Sequence, residues 1–230
     1  MVLKVTKKTK VSKSKKSPIK KELAFNHFRV AIFGSARIKK GDPRYKTVNS
    51  LATKLGERGF DVVTGGGPGL MQAANSGHHS GKKKNKKNHS HSIGLNIKLP
   101  FEQHPGKHLD VYKNFDRFSN RLDTFMTLSN VVVVAPGGIG TVLEFFYTWQ
   151  LIQVKHTCNM PIILLGSMYK GLIDWIKKGP LKHKLMSKDD MKNIYLATKQ
   201  SEVLKIIDQL NNDHQAGKHI CHNFSKYKLK

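Results

Sequence analysis

Residues 136–144 carry side-chain types and spacings that suit phosphate binding. They read Pro-Gly-Gly-Ile-Gly-Thr-Val-Leu-Glu and follow the apolar run 131–135. The run predicts a strand buried on both faces, and the lack of Pro and Gly in residues 145–154 predicts a helix. Glycines let a backbone approach a ligand closely, and the free N–H groups of a helix start favour anions. The predicted phosphate ligands in this turn are Gly137, Gly138, Gly140 and Thr141.

A second interpretation of the same turn involves no ligand. Thr141 and Glu144 have the T-x-x-E spacing of a capping box. In that motif the two side chains only satisfy N–H groups at the start of a helix. The sequence alone leaves both interpretations open.

Two arginines precede the apolar run. Arg117 and Arg121 are four residues apart in the segment 115–128, whose apolar spacing predicts a helix. We therefore expect them on one helical face. An arginine fork can bind a phosphate through two parallel hydrogen bonds. The alternative is a basic stripe that faces solvent and binds nothing.

Six apolar segments alternate with helical patterns along the chain. The predicted strands are residues 28–33, 60–64, 92–97, 131–135, 161–165 and 194–196. The predicted helices are residues 43–58, 70–77, 115–128, 145–154, 172–178 and 201–210, with loops at 78–91 and 100–110. This alternation predicts an α/β fold, a Rossmann-like doubly wound parallel sheet with helices on both faces in a single domain.

Glycine-rich turns follow three of the predicted strands. They are Gly34-Ser35, residues 65–69 and residues 137–141. Ligands of open parallel sheets bind at the carboxyl ends of the strands. We therefore expect the three turns to meet at one edge of the sheet.

The chain of 230 residues has a formal net charge of +26. Residues 1–24 are Lys-rich and aperiodic and are predicted to be a disordered tail, residues 25–212 a nucleotide-binding domain, and residues 213–230 a basic tail. Such charge favours phosphorylated ligands and weak, non-specific nucleic-acid binding through the Lys-rich tail. Aromatic residues that would stack on bases are not interleaved with the lysines.

Several other classes of site lack their sequence signals. Cys158 and Cys221 make neither a disulfide framework nor a zinc-ligand spacing, which indicates a reducing compartment and a cytoplasmic location. No apolar run is long enough to cross a bilayer, so no membrane partner is expected. The histidines lie in predicted loops without metal-ligand spacing, so neither a metal nor a cofactor is expected. These histidines are His78, His79, His89, His91, His104 and His108.

Three segments together resemble the LONELY GUY family of nucleoside 5′-monophosphate phosphoribohydrolases, long mislabelled as lysine decarboxylases. They are residues 64–71 (Thr-Gly-Gly-Gly-Pro-Gly-Leu-Met), the helix that contains Arg121, and residues 136–144. The family's marks are a GGGxxGxM loop, Arg-Lys on a helix, and P-G-G-x-G-T-x-x-E. Residues 92–103 resemble the longer bacterial subgroup. The resemblance covers about residues 28–180.

The resemblance implies hydrolysis of the N-glycosidic bond of AMP-like or cytokinin riboside 5′-monophosphates, releasing free base and ribose 5-phosphate. It implies that Arg121 and Glu144 are the catalytic pair, and that Ser35 and the turn at 137–141 hold the phosphate. It also implies a homodimer. The nucleotide-binding residues expected outside that turn are Ser35, Gly66, Gly67, Met71 and Arg117.

The chain departs from the family pattern at two positions. Leu122 stands where a lysine usually follows the key arginine, and Gly106 where the longer subgroup usually has Asn. Glu102 and Asp116 are the candidates for a general acid. A non-catalytic nucleotide-binding or regulatory protein on the same fold is the alternative, although it would require neither catalytic residue.

Overall fold

The computed structural model describes residues 18–85, 88–100 and 106–218. Seven parallel strands form one sheet in the order β4-β3-β2-β1-β5-β6-β7. The strands are β1 (Arg29–Phe33), β2 (Asp61–Thr64), β3 (Ser92–Ile97), β4 (Val111–Phe115), β5 (Val131–Val134), β6 (Ile162–Leu165) and β7 (Ile194–Ala197). The predicted doubly wound α/β fold is confirmed.

Helices cover both faces of the sheet. They are α1 (Pro18–Glu22), α2 (Pro43–Arg58), α3 (Leu70–Lys84), α4 (Phe118–Leu128), α5 (Ile139–Gln153), α6 (Lys170–Ile176) and α7 (Gln200–Gln215). Alternate residues of each central strand enter two separate cores: Ala31 and Phe33 of β1 pack on the α4–α5–α6 side, and Val30 and Ile32 on the α2–α3–α7 side. This burial on both faces explains why the central strands are uniformly apolar.

One strand was missed by the sequence analysis. Strand β4 lies at the sheet edge, where its residues Val111, Tyr112, Lys113 and Asn114 are half-buried or exposed. An edge strand buries little surface, so it has no apolar run to reveal it. Strand β4 is held in the sheet by its parallel pairing with β3.

The predicted loop at residues 78–91 is wrong over its first half. Helix α3 continues through His78 to Lys84. Gly77 and Gly81 face α2 so closely that a Cβ at Gly81 would lie 2.0 Å from the Thr53 carbonyl oxygen. These glycines, four residues apart on one face, allow the two helices to touch backbone to backbone.

His78 was interpreted as a solvated loop histidine, and this is also wrong. Its side chain is fully buried, and its Nε2 lies 3.0 Å from both the Phe60 carbonyl oxygen and Ser90 Oγ. Burial lowers the pKa of His78 to about 4. The neutral imidazole of His78 therefore has a structural role, since it connects α3 to Phe60 and Ser90.

Both predicted domain boundaries need correction. Residues 18–22 form α1 and Ile19 is fully buried in the core, so the amino-terminal tail does not extend to residue 24. Helix α7 continues to Gln215, beyond the predicted boundary at 212. Residues 1–17 and 219–230, and with them most of both predicted tails, lie outside the described residues.

In the described ranges, no helix combines the length and the apolar character that crossing a membrane requires.

Replacing Gly81 with Ala tests the close crossing of α2 and α3. Alanine is the better helix former, but its Cβ would overlap the Thr53 carbonyl. We expect the free energy of unfolding to fall by about 1–3 kcal/mol in urea denaturation. The matched control is Gly171→Ala in α6, where the new Cβ meets open space. That control should gain about 0.5–1 kcal/mol, and equal stabilities for the two variants would contradict the close crossing.

Candidate active site

The centre of the sheet contains its topological switch point. Strands β2, β3 and β4 extend from one side of β1, whereas β5, β6 and β7 extend from the other. The turns that follow β1 and β5 therefore diverge and leave a crevice, as they do in other doubly wound sheets. The Ser35 N–H donates to the Pro136 carbonyl at 3.1 Å and joins the two turns at its floor.

An open cleft of about 480 Å³ lies over this switch point. Ser35, Pro136 and Gly137 line it together with basic side chains that the sequence analysis had not singled out. These are Arg37, Lys39 and Arg44, with Asp42 beside them. Arg44 is paired with Asp42 at 2.6 Å, so Arg37 and Lys39 supply the positive charge. Their position just after β1 was the only signal that could have identified them.

A cavity of about 640 Å³ elsewhere is larger than this cleft. Lys40, Tyr45, Ser76 and His108 are among its lining residues, and none of the lining residues that the structure describes is a carboxylate. Size alone therefore does not identify a reactive site in this fold. The cleft at the switch point is the better candidate because Gly137, directly before the start of the helix that carries Glu144, lines it.

Helix α5 begins inside the glycine turn and its first residues carry no side-chain cap. Gly138 is the N-cap, and Thr141 and Glu144 lie within the helix, so the capping-box interpretation is wrong. A Cβ at Gly138 or Gly140 would meet nothing within 4 Å, which leaves the helix start open. Gly137, directly before this N-cap, lines the cleft, so the positive end of a 15-residue helix lies beside it.

Thr141 is held against the turn. A Cβ at Gly137 would lie 2.1 Å from Thr141 Oγ1, so only glycine fits beneath this side chain. Thr141 is itself almost fully buried. The structure thus brings Ser35, Gly137, Gly138, Gly140 and Thr141 to one place, as the sequence predicted.

Arg121 and Glu144 form a buried ion pair. Arg121 of α4 donates from Nη2 to Glu144 Oε1 of α5 at 2.8 Å, and the two side chains are 9% and 12% exposed. Arg121 Nε also donates to the Leu95 carbonyl of β3 at 2.8 Å. The guanidinium lies 5.2 Å from the centre of the Phe125 ring. Three contacts thus orient two charges that burial would otherwise disfavour.

The pKa of Glu144 is raised above its ordinary value of 4.5. Burial is the main cause, because it penalises the charged carboxylate. The charge of Arg121 and its hydrogen bond act in the opposite direction and reduce the shift. A carboxylate with a raised pKa is suited to accept a proton near neutral pH.

The glycine loop after β2 passes directly over this ion pair. A Cβ at Gly65 would lie 2.7 Å from Met71 Sδ and 2.8 Å from Arg121 Nη2. Gly66 has a φ of 69°, and its N–H donates to Thr64 Oγ1 at 3.0 Å. Of this loop, Gly65 lies beside both Arg121 and Met71, whereas Gly67 lies against Met71 and Gly66 against Gly94 and Tyr112.

Arg117 departs from its prediction. It is the N-cap of α4 in an extended conformation and is exposed, so it does not share a helical face with Arg121.

Leu122, which stands where the family usually has lysine, is buried and belongs to the hydrophobic core. Asp116 is exposed and pairs with Lys98 at 2.7 Å, whereas Glu102 lies outside the described residues.

Comparisons with known proteins show which family this chain belongs to. The family model described as possible lysine decarboxylase matches residues 71–207. The pyrimidine/purine nucleotide 5′-monophosphate nucleosidase of Escherichia coli strain K12 is 25% identical over 125 residues, which cover 53% of this chain. The same match covers only 28% of the nucleosidase, so this chain corresponds to less than a third of that protein.

Solved structures share the fold. The structural genomics target TM1055 has a TM-score of 0.58 at 23% identity, over 79% of this chain and 99% of that one. The molybdenum cofactor carrier protein of Chlamydomonas reinhardtii has a TM-score of 0.59 at 18% identity, over 81% and 99%. The molybdenum cofactor binding protein of Rippkaea orientalis has a TM-score of 0.58 at 18% identity, over 80% and 98%. At these identities the likeness establishes the fold alone.

Replacing Arg121 with Met tests the electrostatics of the pair. Met removes the charge that opposes the effect of burial, so the pKa of Glu144 should rise further. Carbon NMR titration of the Glu144 carboxyl measures this shift. The matched control is Lys98→Met, which removes the exposed partner of Asp116 and should leave the Glu144 titration unchanged. An unaltered Glu144 titration in Arg121→Met would contradict the assignment.

Proposed function

The chain belongs to the LONELY GUY family, and we propose that it hydrolyses the N-glycosidic bond of nucleoside 5′-monophosphates to free base and ribose 5-phosphate. The observation that carries the proposal is the buried ion pair of Arg121 and Glu144 at 2.8 Å, beside a glycine loop and an uncapped helix start. The distant likeness to a nucleotide 5′-monophosphate nucleosidase supports the same chemistry. Lysine decarboxylation, the activity in the family model's description, is not proposed.

The phosphate is proposed to bind at the switch-point cleft. Helix α5 offers uncapped N–H groups there, and Arg37 and Lys39 add positive charge. Glu144 lies six residues after Gly138, roughly 9 Å along the helix axis. A nucleotide anchored by its phosphate at the helix start would therefore extend its ribose toward Glu144. The base would then reach the loop of Gly66 and Gly67, where Met71 offers a polarisable apolar surface.

The reaction replaces the bond between C1′ and the base nitrogen with a bond between C1′ and water oxygen. The base leaves with the bonding electrons and takes a proton, and positive charge develops on the ribose ring. Glu144 is proposed to stabilise that charge as a carboxylate and to accept a proton from the attacking water. Arg121 positions Glu144 and keeps part of its population ionised against the effect of burial.

The substrate class and assembly follow from the same family membership. AMP-like nucleotides and cytokinin riboside 5′-monophosphates are the proposed substrates, and the cytoplasm is the proposed location. A homodimer is also proposed, because apolar side chains at the start of α4 and along α5 are exposed. These are Phe118, Ile139, Leu143 and Val154. Light scattering of the purified protein measures the assembly directly.

Glu144→Gln should abolish most of the hydrolysis while the nucleotide still binds. Glutamine retains the size and can still accept a hydrogen bond from Arg121, but it cannot take a proton. We expect kcat to fall by about 10²–10⁴-fold for whichever of AMP, GMP, CMP, UMP or a cytokinin riboside monophosphate reacts. Release of ribose 5-phosphate measures turnover and calorimetry measures binding.

The control for this experiment is Glu202→Gln, because Glu202 is an exposed residue near the start of α7. It should leave turnover unchanged. If the wild-type protein binds nucleotides but releases no ribose 5-phosphate from any of them, the protein is a nucleotide binder and the catalytic proposal fails.

Gly138→Asp tests the proposed phosphate position separately. Gly138 has φ −95° and ψ −154°, and a side chain there enters open space. Aspartate is a favoured N-cap, so stability should be retained or increased. Its charge would repel the substrate phosphate, and KM should rise by about tenfold or more.

Gly138→Asn is the matched control, since it caps the helix equally well without a charge. Its KM should remain much closer to that of the wild type. Equal KM values for the Asp and Asn variants would place the phosphate elsewhere. Thermal unfolding of both variants separates this effect from a loss of structure.

A further inference from the structure

A second group of ionisable side chains lies at the opposite edge of the sheet from the cleft. Glu22 ends α1, Asp61 begins β2, and His91 directly precedes β3. His27 joins them from the segment between α1 and β1. One ligand atom from each of the four lies within 4.8 Å of the others. Four chain segments thus converge on one point that the proposed hydrolysis does not use.

The four groups form two short imidazole–carboxylate contacts. His27 Nδ1 lies 3.1 Å from both Asp61 oxygens, and His91 Nδ1 lies 3.0 Å from Glu22 Oε1. The Glu22 and Asp61 side chains are 3% and 0% exposed, whereas His27 and His91 are about one quarter exposed. The carboxylates therefore lie inside and the imidazoles close the site toward solvent.

The charge of this cluster is not balanced by the neighbouring arginine. Arg29 is buried and its Nε lies 3.3 Å from Asp61 Oδ2. Its Nη2 donates to the carbonyls of Glu22 and Phe25 at 2.7 and 2.8 Å, and lies 3.9 Å from Glu22 Oε1. With neutral imidazoles, two buried carboxylates face one guanidinium. In that state the carboxylates of this cluster exceed the guanidinium by one negative charge among the residues that the structure describes.

The surroundings hold the four groups in place. The His91 backbone N–H donates to Asp61 Oδ1 at 2.7 Å, so a backbone group as well as side chains orients the Asp61 carboxylate. The Phe25 ring stacks on His27 at 5.3 Å and meets the edge of His91 at 5.8 Å. An outer shell of hydrogen bonds and apolar contacts of this kind is what orients metal ligands in proteins.

We propose that Glu22, His27, Asp61 and His91 bind a divalent transition-metal ion of the Zn²⁺ type. Two imidazole nitrogens and two carboxylate oxygens are ligands that suit Zn²⁺ in a closed four-coordinate site. Ligand bonds of about 2.0–2.2 Å in a tetrahedron place ligand atoms roughly 3.3–3.6 Å apart. The two short contacts are already near this separation, and the remaining pairs need to approach by about 1 Å.

The consequence is structural. The ion would tie α1 and the segment before β1 to the amino ends of β2 and β3, and its charge would neutralise the excess carboxylate. Metal affinity then adds to the folding free energy of the whole chain. Because the site lies at the edge of the sheet remote from Glu144, its function is separable from hydrolysis.

Titration of chelator-treated, tag-free protein with ZnCl₂ tests the proposal. Calorimetry should find one tight site per chain, and the thermal midpoint of unfolding should rise with Zn²⁺. His27→Gln and His91→Gln should each weaken this site at least tenfold, whereas the control His183→Gln, an exposed histidine far along the chain, should not.

Cobalt absorption provides a readout that does not depend on variants. Co²⁺ in the wild-type protein should give the intense visible bands of four-coordinate geometry, and one equivalent of Zn²⁺ should remove them. The proposal is overturned if no saturable site appears, or if both cluster variants bind Zn²⁺ like the wild type. It is also overturned if acid alone raises the thermal midpoint and Zn²⁺ does not, because the cluster is then a pair of histidine–carboxylate salt bridges.

Discussion

The buried contact between Arg121 and Glu144 constrains the rest of the carboxyl edge. Removing two ions from water costs several kcal/mol for each, and losing one partner of such a pair typically destabilises a protein by about 3–5 kcal/mol. The contacts of Arg121 with Leu95 and Phe125 therefore help to offset the cost of burying this pair. These contacts join β3, α4 and α5, so the relative positions of three elements depend on two side chains.

The glycine loop after β2 follows from the same constraint. Any side chain at Gly65 would displace Arg121 or Met71, so a glycine is required where the loop crosses the pair. Sequence analysis recognised the loop as a ligand turn, but it had no means of identifying this second reason for the glycine. The loop therefore both leaves room for a ligand and allows an arginine to reach a carboxylate beneath it.

The sequence predicted what depends on local pattern and missed what depends on distant contacts. The run Val131–Val134 is buried on both faces and was recognisable as a central strand. Helix α3 was cut short because Gly77 and Gly81 resemble loop residues until α2 is packed against them. The prediction for Arg117 was wrong for a local reason. It assumed that the helix already included Arg117, whereas α4 begins at Phe118.

For the candidate active site, the sequence predicted which residues take part, but it did not predict which residues they contact. The turn at Gly137–Thr141 could be located from glycines after a strand, because parallel sheets bind ligands at carboxyl ends. The burial that raises the pKa of Glu144 depends on β3 and α4, which are 16 or more residues away in the chain. The same applies to the cluster around Asp61, whose four segments span residues 22 to 91.

The two edges of the sheet differ in their electrostatics, and the direction of the chain explains this. Helices that connect parallel strands start at the carboxyl edge and end at the amino edge, so their dipoles favour anions at the first and cations at the second. The open start of α5 agrees with a site for phosphate. The buried carboxylates of Glu22 and Asp61 occupy the amino edge, where helix ends give them no support. Arg29 offsets part of that charge, and the imidazoles of His27 and His91 contact the two carboxylates at 3.0–3.1 Å.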